Sequence, residues 1–384
     1  MREGWEYKKL GQVCTSDLGK TLNKSKDRGE LHPYLCSINI LWDKIDLSTL
    51  KQACFEADEQ EKYTVRKGDL LVCEGGDTGR SAIWDRDETI LYQNALHRLR
   101  FHESVSPKFV LFYLMYLKDI GEIDNKYSKG VTIKHLVKKA LLSIPLPIPP
   151  KSTQLSIVSE LDKLNELIQI KKEQLKDYDT LAQSIFYEMF GDPVVNEKGW
   201  EVKKIGDVCK TSSGGTPSKA HDEYYNGDIL WLRSGEVCQG DIYDTEQTIT
   251  LLGLENSSAK IFPVNTVVIA MYGATVGQVG ILRKEMCTNQ AICGILPNGV
   301  LTPEYLNYFL LRMKSEFLKL AIGGAQANIS QQIIRKTLIS LPPLSLQKYF
   351  TCRIEQIEQQ KAAIQKTITD LETLLAARMQ YWFD

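Results

Sequence analysis

Gly19-Lys20-Thr21 ends like a phosphate-binding loop, in which backbone amides and a lysine hold the phosphates of a nucleotide. That loop needs a further glycine at position 14, where this chain has Cys14. The nucleotide reading therefore fails. Glu6-Tyr7-Lys8 and Glu201-Val202-Lys203 carry the Glu-x-Lys of metal-dependent nucleases. A Mg2+ centre of that kind needs a second carboxylate from a preceding strand, and no strand precedes Glu6 to supply it. The five histidines, His32, His97, His102, His135 and His221, form no i, i+4 pair, and the nine cysteines form no Cys-x-x-Cys pair. No Gly-x-Gly-x-x-Gly opens a helix after a strand, and there is no Asn-Pro-Pro-aromatic loop of an amino-methyltransferase. The expectation is a chain with no catalytic residues, no metal ligands and no cofactor of its own.

What remains is polar chemistry in loops. Ser213-Gly214-Gly215-Thr216-Pro217-Ser218-Lys219, Tyr272-Gly273-Ala274-Thr275 and Gly323-Gly324-Ala325-Gln326-Ala327-Asn328-Ile329-Ser330 interrupt otherwise apolar segments. Glycine lets a backbone amide approach a phosphate, while Asn, Gln and Arg offer paired hydrogen bonds to base edges. Many Gly-Ser loops are only turns, so the pattern supplies candidates. In the second half these are Thr216, Ser218, Lys219, Arg233, Tyr272, Thr275, Gln290, Gln326 and Asn328. In the first half they are Lys20, Lys24, Thr78, Arg80, Asn94, Lys129, Thr132 and Lys134.

With 384 residues, 43% hydrophobic and 25% charged, the chain suits two soluble domains and extra elements. The apolar run Leu141–Pro149 is broken by prolines and too short to span a bilayer. Met1–Trp5 lacks the apolar core of a signal peptide. Scattered cysteines, odd in number, fit reduced thiols in the cytoplasm. The net charge of −1 means that a DNA-binding face would have to gather its basic residues locally.

These loops recur because the chain repeats itself. Trp5-Glu6-Tyr7-Lys8-Lys9-Leu10-Gly11-Gln12-Val13-Cys14 returns as Trp200-Glu201-Val202-Lys203-Lys204-Ile205-Gly206-Asp207-Val208-Cys209. A strand before a Gly-rich loop follows at Gly68–Gly79 and again at Asn265–Gly277. Asn94-Ala95 matches Asn289-Gln290-Ala291, and helix starts follow at Pro107 and Pro303. Ser143-Ile144-Pro145 and Ser340-Leu341-Pro342 close the halves. So many ordered matches indicate a tandem duplication.

Behind each Pro-rich closure stands a heptad helix. In the first, Leu161, Ile168, Leu175, Ala182 and Met189 hold one seam position and Ile157, Leu164, Tyr178 and Ile185 the other, with Lys171 interrupting. In the second, Ile354, Ile368, Leu375 and Trp382 alternate with Phe350, Ile357, Ile364 and Leu371, and Lys361 and Arg378 interrupt. A period of 3.5 over about five heptads is a coiled-coil pattern, and charges in the seam fix its register. Ser152 or Thr153 is placed to cap the first helix, and Gly191-Asp192-Pro193 to stop it. The expected fold is α+β, with domains 1–150 and 192–344 each followed by a long helix, 151–191 and 345–384. The short connection after Phe190 favours an antiparallel coiled coil, with the domains related by a pseudo-two-fold axis.

This order, with its motifs, resembles the DNA-specificity subunit of type I restriction-modification enzymes. The likeness rests on the repeated Trp-Glu-x-Lys-Lys opening, Gly214-Gly215-Thr216-Pro217-Ser218, Asp228–Glu236, Gly273–Gly277, and Ala327-Asn328-Ile329-Ser330 leading to Leu341-Pro342-Pro343-Leu344. The first half departs from it at Glu74–Gly79 and Gly130–Ile133, and the helix entries read Thr153-Gln154 and Leu346-Gln347 where the family often has Glu-Gln. The resemblance implies two target-recognition domains reading the halves of a bipartite, asymmetric site in double-stranded DNA. It implies helices that set the gap and seat two methyltransferase subunits, with motor/nuclease subunits added. S-adenosylmethionine, ATP and Mg2+ would belong to those partners. Alternatives are the specificity subunit of a related restriction system, a coiled-coil scaffold without DNA readout, and a catalytic chain such as a nuclease or fused methyltransferase.

Overall fold

The computed structural model describes residues 4–23, 27–130, 134–237, 240–320 and 328–384. The chain divides into two compact units, Met1–Lys172 with Lys366–Asp384, and Glu173–Gln365. Each unit thus holds one domain, the first part of the long helix that follows it, and the last part of the other copy's helix.

The two domains share a strand order. In the first, Cys14–Leu18, Leu96–Phe101, Leu70–Cys73 and Ser81–Ile83 form one sheet in that order. In the second, Thr211–Ser213, Ile292–Ile295, Val267–Ala270 and Val279–Leu282 repeat it, and Asp241–Ile242 extends the edge. A second sheet pairs Glu30–Leu35 in parallel with Ile90–Tyr92, as Tyr225–Leu232 pairs with Met286–Thr288. Leu70–Cys73 and Val267–Ala270 are buried along their whole length. That is why they read as continuous apolar runs without alternation.

A two-stranded ribbon closes each domain, Glu6–Lys9 against Pro145–Ile148 and Val202–Lys204 against Leu338–Ser340. Lys9 faces Pro145 and Lys204 faces Leu338. The structural counterparts are therefore Pro149-Pro150 and Pro342-Pro343, and the expected match of Ser143-Ile144-Pro145 with Ser340-Leu341-Pro342 is corrected by this register. The Glu-x-Lys runs lie on the outside of these ribbons as ion pairs, Glu6–Lys8 at 2.6 Å and Glu201–Lys203 at 3.0 Å.

The long helices span Lys151–Phe190 and Leu344–Phe383, 40 residues each, or about 60 Å. The carbonyl of Pro150 accepts the amides of Thr153 and Gln154. Ser152 and Thr153 therefore lie inside the first turn, which corrects their assignment as caps. Gln154 is only 1% exposed. It accepts the Ser106 amide at 2.8 Å and donates to the carbonyls of Ser104 and Pro149. Gln347 repeats the clamp on the Thr302 amide and the carbonyls of Val300 and Pro342. Ser106 and Thr302 are themselves the N-caps of helices Pro107–Asp119 and Pro303–Arg312. The first long helix stops at Gly191, φ 79°, and the Trp200 indole caps the Phe190 carbonyl.

Within each unit the long helices run antiparallel. In the first, Glu160 meets Arg378 and Trp382 while Lys172 meets Glu372. In the second, Asp179 meets Lys361 at 2.9 Å. Both interrupting charges of the second helix, Lys361 and Arg378, thus find acidic partners on the opposite helix, as register-setting residues do. Ile157, Leu161, Ile168, Ile185, Ile354, Ile357, Ile368 and Leu375 are buried in the seam, and Leu164, Leu175, Tyr178, Ile364 and Leu371 are half-buried. Towards their ends the helices bury a broader face. Phe186 and Phe190 pack on Tyr305 and Phe350 with ring centroids 4.7–5.8 Å apart. Phe383 lies 5.3–5.6 Å from the rings of Phe109, Tyr113 and Tyr116.

Candidate nucleic-acid interface

The polar loops of each unit are stitched into one edge by backbone hydrogen bonds. In the second unit the amides of Gly214 and Gly215 reach the carbonyls of Ile292 and Thr288, Asn289 reaches Leu232, Met271 reaches Ala291, and Ile329 reaches Met271. In the first unit Gly19 and Lys20 reach Leu96 and Tyr92, Gln93 reaches Leu35, Glu74 reaches Ala95, and Leu136 reaches Glu74. The ladder is the same, rung for rung. It demands glycine where strands crowd: a Cβ on Gly19 would fall 2.4 Å from the Gln93 backbone, and one on Gly214 would fall 2.1 Å from the Thr288 carbonyl.

The ladder brings most second-half candidates together. The Thr216 hydroxyl bonds to Gln290, and Tyr272 bridges Asn328. Ser218, Lys219, Tyr272, Gln290 and Asn328 are exposed, while Thr216 and Thr275 are half-exposed. Arg233 is held by Glu236 and Glu246, so a DNA contact would require it to exchange partners. Lys219 and Arg233 line a cleft of about 620 Å³ with Asn226, Trp231 and Gln247.

The first unit corrects two expectations. Lys20 stands where the second unit has Gly215, and it points inward: its Nζ lies 2.6 Å from Glu59 and 2.8 Å from the Cys54 carbonyl, with 4% of the residue exposed. Its charge is spent inside the fold. Thr78 is fully buried and donates to Asp124 at 2.9 Å. Arg80 is half-buried and donates to the Ser37 carbonyl. Asn94 and Lys129 are exposed and Lys134 half-exposed. Lys24, Thr132 and Gln326 lie outside the described residues. Thr21 was missed by the sequence reading. It accepts from Asn94 at 3.2 Å, and this pair occupies the place of Thr216 and Gln290. The signal was present, since Gly19-Lys20-Thr21 is the counterpart of Gly214-Gly215-Thr216.

Beneath the edge the electrostatics are quiet. Burial pushes the thiols of Cys14, Cys73, Cys209 and Cys287 up to about 11 and that of Cys293 up to about 12. At neutral pH these thiols stay protonated and weakly nucleophilic. Burial pushes the His97 imidazole down, and its Nε2–H donates to the Leu136 carbonyl at 2.8 Å, supporting the loop above it. Among the described residues no group of three or more His, Cys, Asp or Glu is placed to hold a metal ion. None of their helices is long and apolar enough to cross a membrane.

The family model for the type I restriction modification DNA specificity domain matches this chain twice, over residues 2–177 and 197–373. The chain belongs to that family. Each specificity domain ends inside a long helix, as the fold shows. The chain is 27% identical over 411 residues to the HindI specificity subunit of Haemophilus influenzae, covering 83% of this chain and 87% of that protein. It is 32% identical over 186 residues to the MjaIX specificity subunit of Methanocaldococcus jannaschii, a match that spans only 43% of that relative. Its fold is similar to a chain from a structural study of complex assembly and conformational transition of the type I R-M system, with TM-score 0.64 at 20% identity, covering 100% of this chain and 98% of the other. The S subunit from M. genitalium gives 0.55 at 13% identity, over 99% and 96% of the two chains.

Proposed function

We propose that this chain is the DNA-specificity subunit of a type I restriction-modification complex. Each unit reads one half of a bipartite, asymmetric site in double-stranded DNA. The chain itself catalyses nothing. It docks two methyltransferase subunits and the motor/nuclease subunits in the cytoplasm, and S-adenosylmethionine, ATP and Mg2+ are bound by those partners. One observation supports this reading above the others: the two units share a backbone ladder and fill it with different exposed side chains. A common scaffold with divergent donors and acceptors suits readers of unlike half-sites.

The long helices act as a ruler. A heptad inserted after Tyr178, matched by one after Leu371, preserves the seam and adds about 10 Å, or about three base pairs of gap. The test is the methylation pattern of cells carrying the complex. Two short half-sites at a fixed gap are expected, with an unchanged sequence and a longer gap in the insertion variant. Methylation without sequence preference would refute the reading. A gel shift that treats cognate and random duplexes alike would favour the scaffold alternative.

A further inference from the structure

The two units build corresponding charge clusters beside the capped helices from different residues. In the first, Lys108 lies in the opening turn of helix Pro107–Asp119. Its Nζ sits 2.6 Å from Asp43 and 3.0 Å from Asp162 on the long helix. Asn165 adds a hydrogen bond to Asp43 at 3.1 Å. There the cation is the chain's own.

In the second unit Glu304 stands in the place of Lys108, as the matching caps Ser106 and Thr302 show. The matching clamps of Gln154 and Gln347 put Glu355 in the place of Asp162 and Glu358 in that of Asn165. Arg283 neutralises one pair, reaching Glu304 at 2.8 Å and Asp241 at 2.7 Å. Lys361 serves Glu358 and Asp179. Glu355 makes no ion pair among the described residues. These side chains line an open cleft of about 430 Å³, with Asp241, Tyr243, Asn307 and the exposed Glu355 among its walls.

Asn307 is an independent sign. It is 1% exposed, and its Oδ1 has no hydrogen-bond partner among the described residues. The first unit has fully buried Leu111 at that position. A buried amide oxygen without a donor destabilises the fold, so its placement in the wall of an acidic cleft calls for a donor from outside.

We infer that this cleft binds a cationic group rich in N–H donors, a guanidinium or a primary ammonium, that the chain does not supply. The cation pairs with Glu355, and one of its N–H groups donates to Asn307 Oδ1. The first unit needs no such ligand because Lys108 plays that part. The chemistry has two sources, a free polyamine-like cation or an Arg or Lys side chain of a docked subunit.

Titration calorimetry of the full chain with agmatine tests the inference, using 4-guanidinobutyrate as the charge-balanced control. Agmatine should bind with a Kd of about 1 mM or tighter, and Glu355→Gln and Asn307→Leu should each weaken it at least roughly tenfold. Asn307→Leu copies the first unit, and thermal melts check that both variants fold. In the complex with methyltransferase subunits, loss of agmatine binding would assign the cation to a partner side chain, and retention to a free ligand. The same affinity in wild type and both variants, or no heat with wild type, would overturn the inference. The DNA-reading proposal is judged separately by gel shift, so the two fail independently.

Discussion

The loop after strand Leu70–Cys73 carries Glu74, Asp77 and Thr78, and the loop after Val267–Ala270 carries Tyr272 and Thr275. In the first unit these polar groups turn inward: Asp77 pairs with Lys118 at 2.9 Å, and Thr78 and Lys118 share Asp124. In the second, the Tyr272 side chain is 44% exposed at the edge, while its backbone pairs with Asn328 as that of Gly75 pairs with His135 in the first. Lys20 and Gly215 show the same contrast, one filling a space with a buried ion pair and the other leaving it to Ser258 and Ala259, which a Cβ would strike. The ladder constrains backbone amides and the glycines that let them approach. It leaves outward side chains free, so two copies of one fold can present unlike surfaces without remaking the core.

Substitutions at matched positions test how far the likeness extends. The largest effects should come from the helix ends. Phe186→Ala should cost about 3–5 kcal/mol and Phe383→Ala about 3 kcal/mol, as large-to-small core changes do. Hydrogen exchange should report the first loss in helix Pro303–Arg312 and the second in Pro107–Asp119. If either substitution loosened both helices alike, the division into two units would be wrong.

The buried glutamines come next. Gln154→Ala and Gln347→Ala each strip partners from a backbone N–H and two carbonyls, so each should cost about 3 kcal/mol in its own unit. Chemical denaturation measures it, and unequal losses would show that the clamps are not equivalent. Gln290→Ala and Asn94→Ala should each cost about 1–3 kcal/mol of DNA affinity, on different half-sites. Binding to duplexes with one half-site scrambled reads this directly. Loss on the same half-site for both would break the pairing of edge with half-site.

The smallest effect separates His97 from Cys293, its counterpart. Burial lowers the His97 pKa, so the unfolded chain protonates first, near its ordinary value of about 6.5. The stabilising contribution of neutral His97 is present above about 6.5 and is lost as pH falls from there through the lower folded value. His97→Cys, which copies the second unit, should flatten the decline in denaturation midpoint between pH 7.5 and 5.5. An equally steep decline in the variant would assign the titration elsewhere.

The repeat, the long helices and most seam residues were legible because a heptad period is local and redundant. Ile157, Leu161, Ile168, Ile354 and Ile368 could be read from spacing alone. Phe186, Phe190 and Phe383 could not be placed, because near their ends the helices leave the seam and face a domain, where a strict 3.5 period no longer describes burial. The clamping role of Gln154 and Gln347 could not be read, since nothing local announces that an amide will hold a loop 48 or 45 residues upstream. Lys20 was misplaced for the same reason, its carboxylate partner lying 39 residues away on another element. Within the candidate interface, residue types were legible in the loops, but which side chains face outward depends on distant partners.

The cover that Phe383 provides has a consequence during synthesis. Tyr116 and its hydrogen-bond partner Asp384 are 268 residues apart. At roughly 5–20 residues per second, a ribosome needs roughly 15–50 s to bridge that interval. Throughout it, Phe109, Tyr113 and Tyr116 wait on a nascent chain without the aromatic ring that will cover them. The domain made first is therefore completed last.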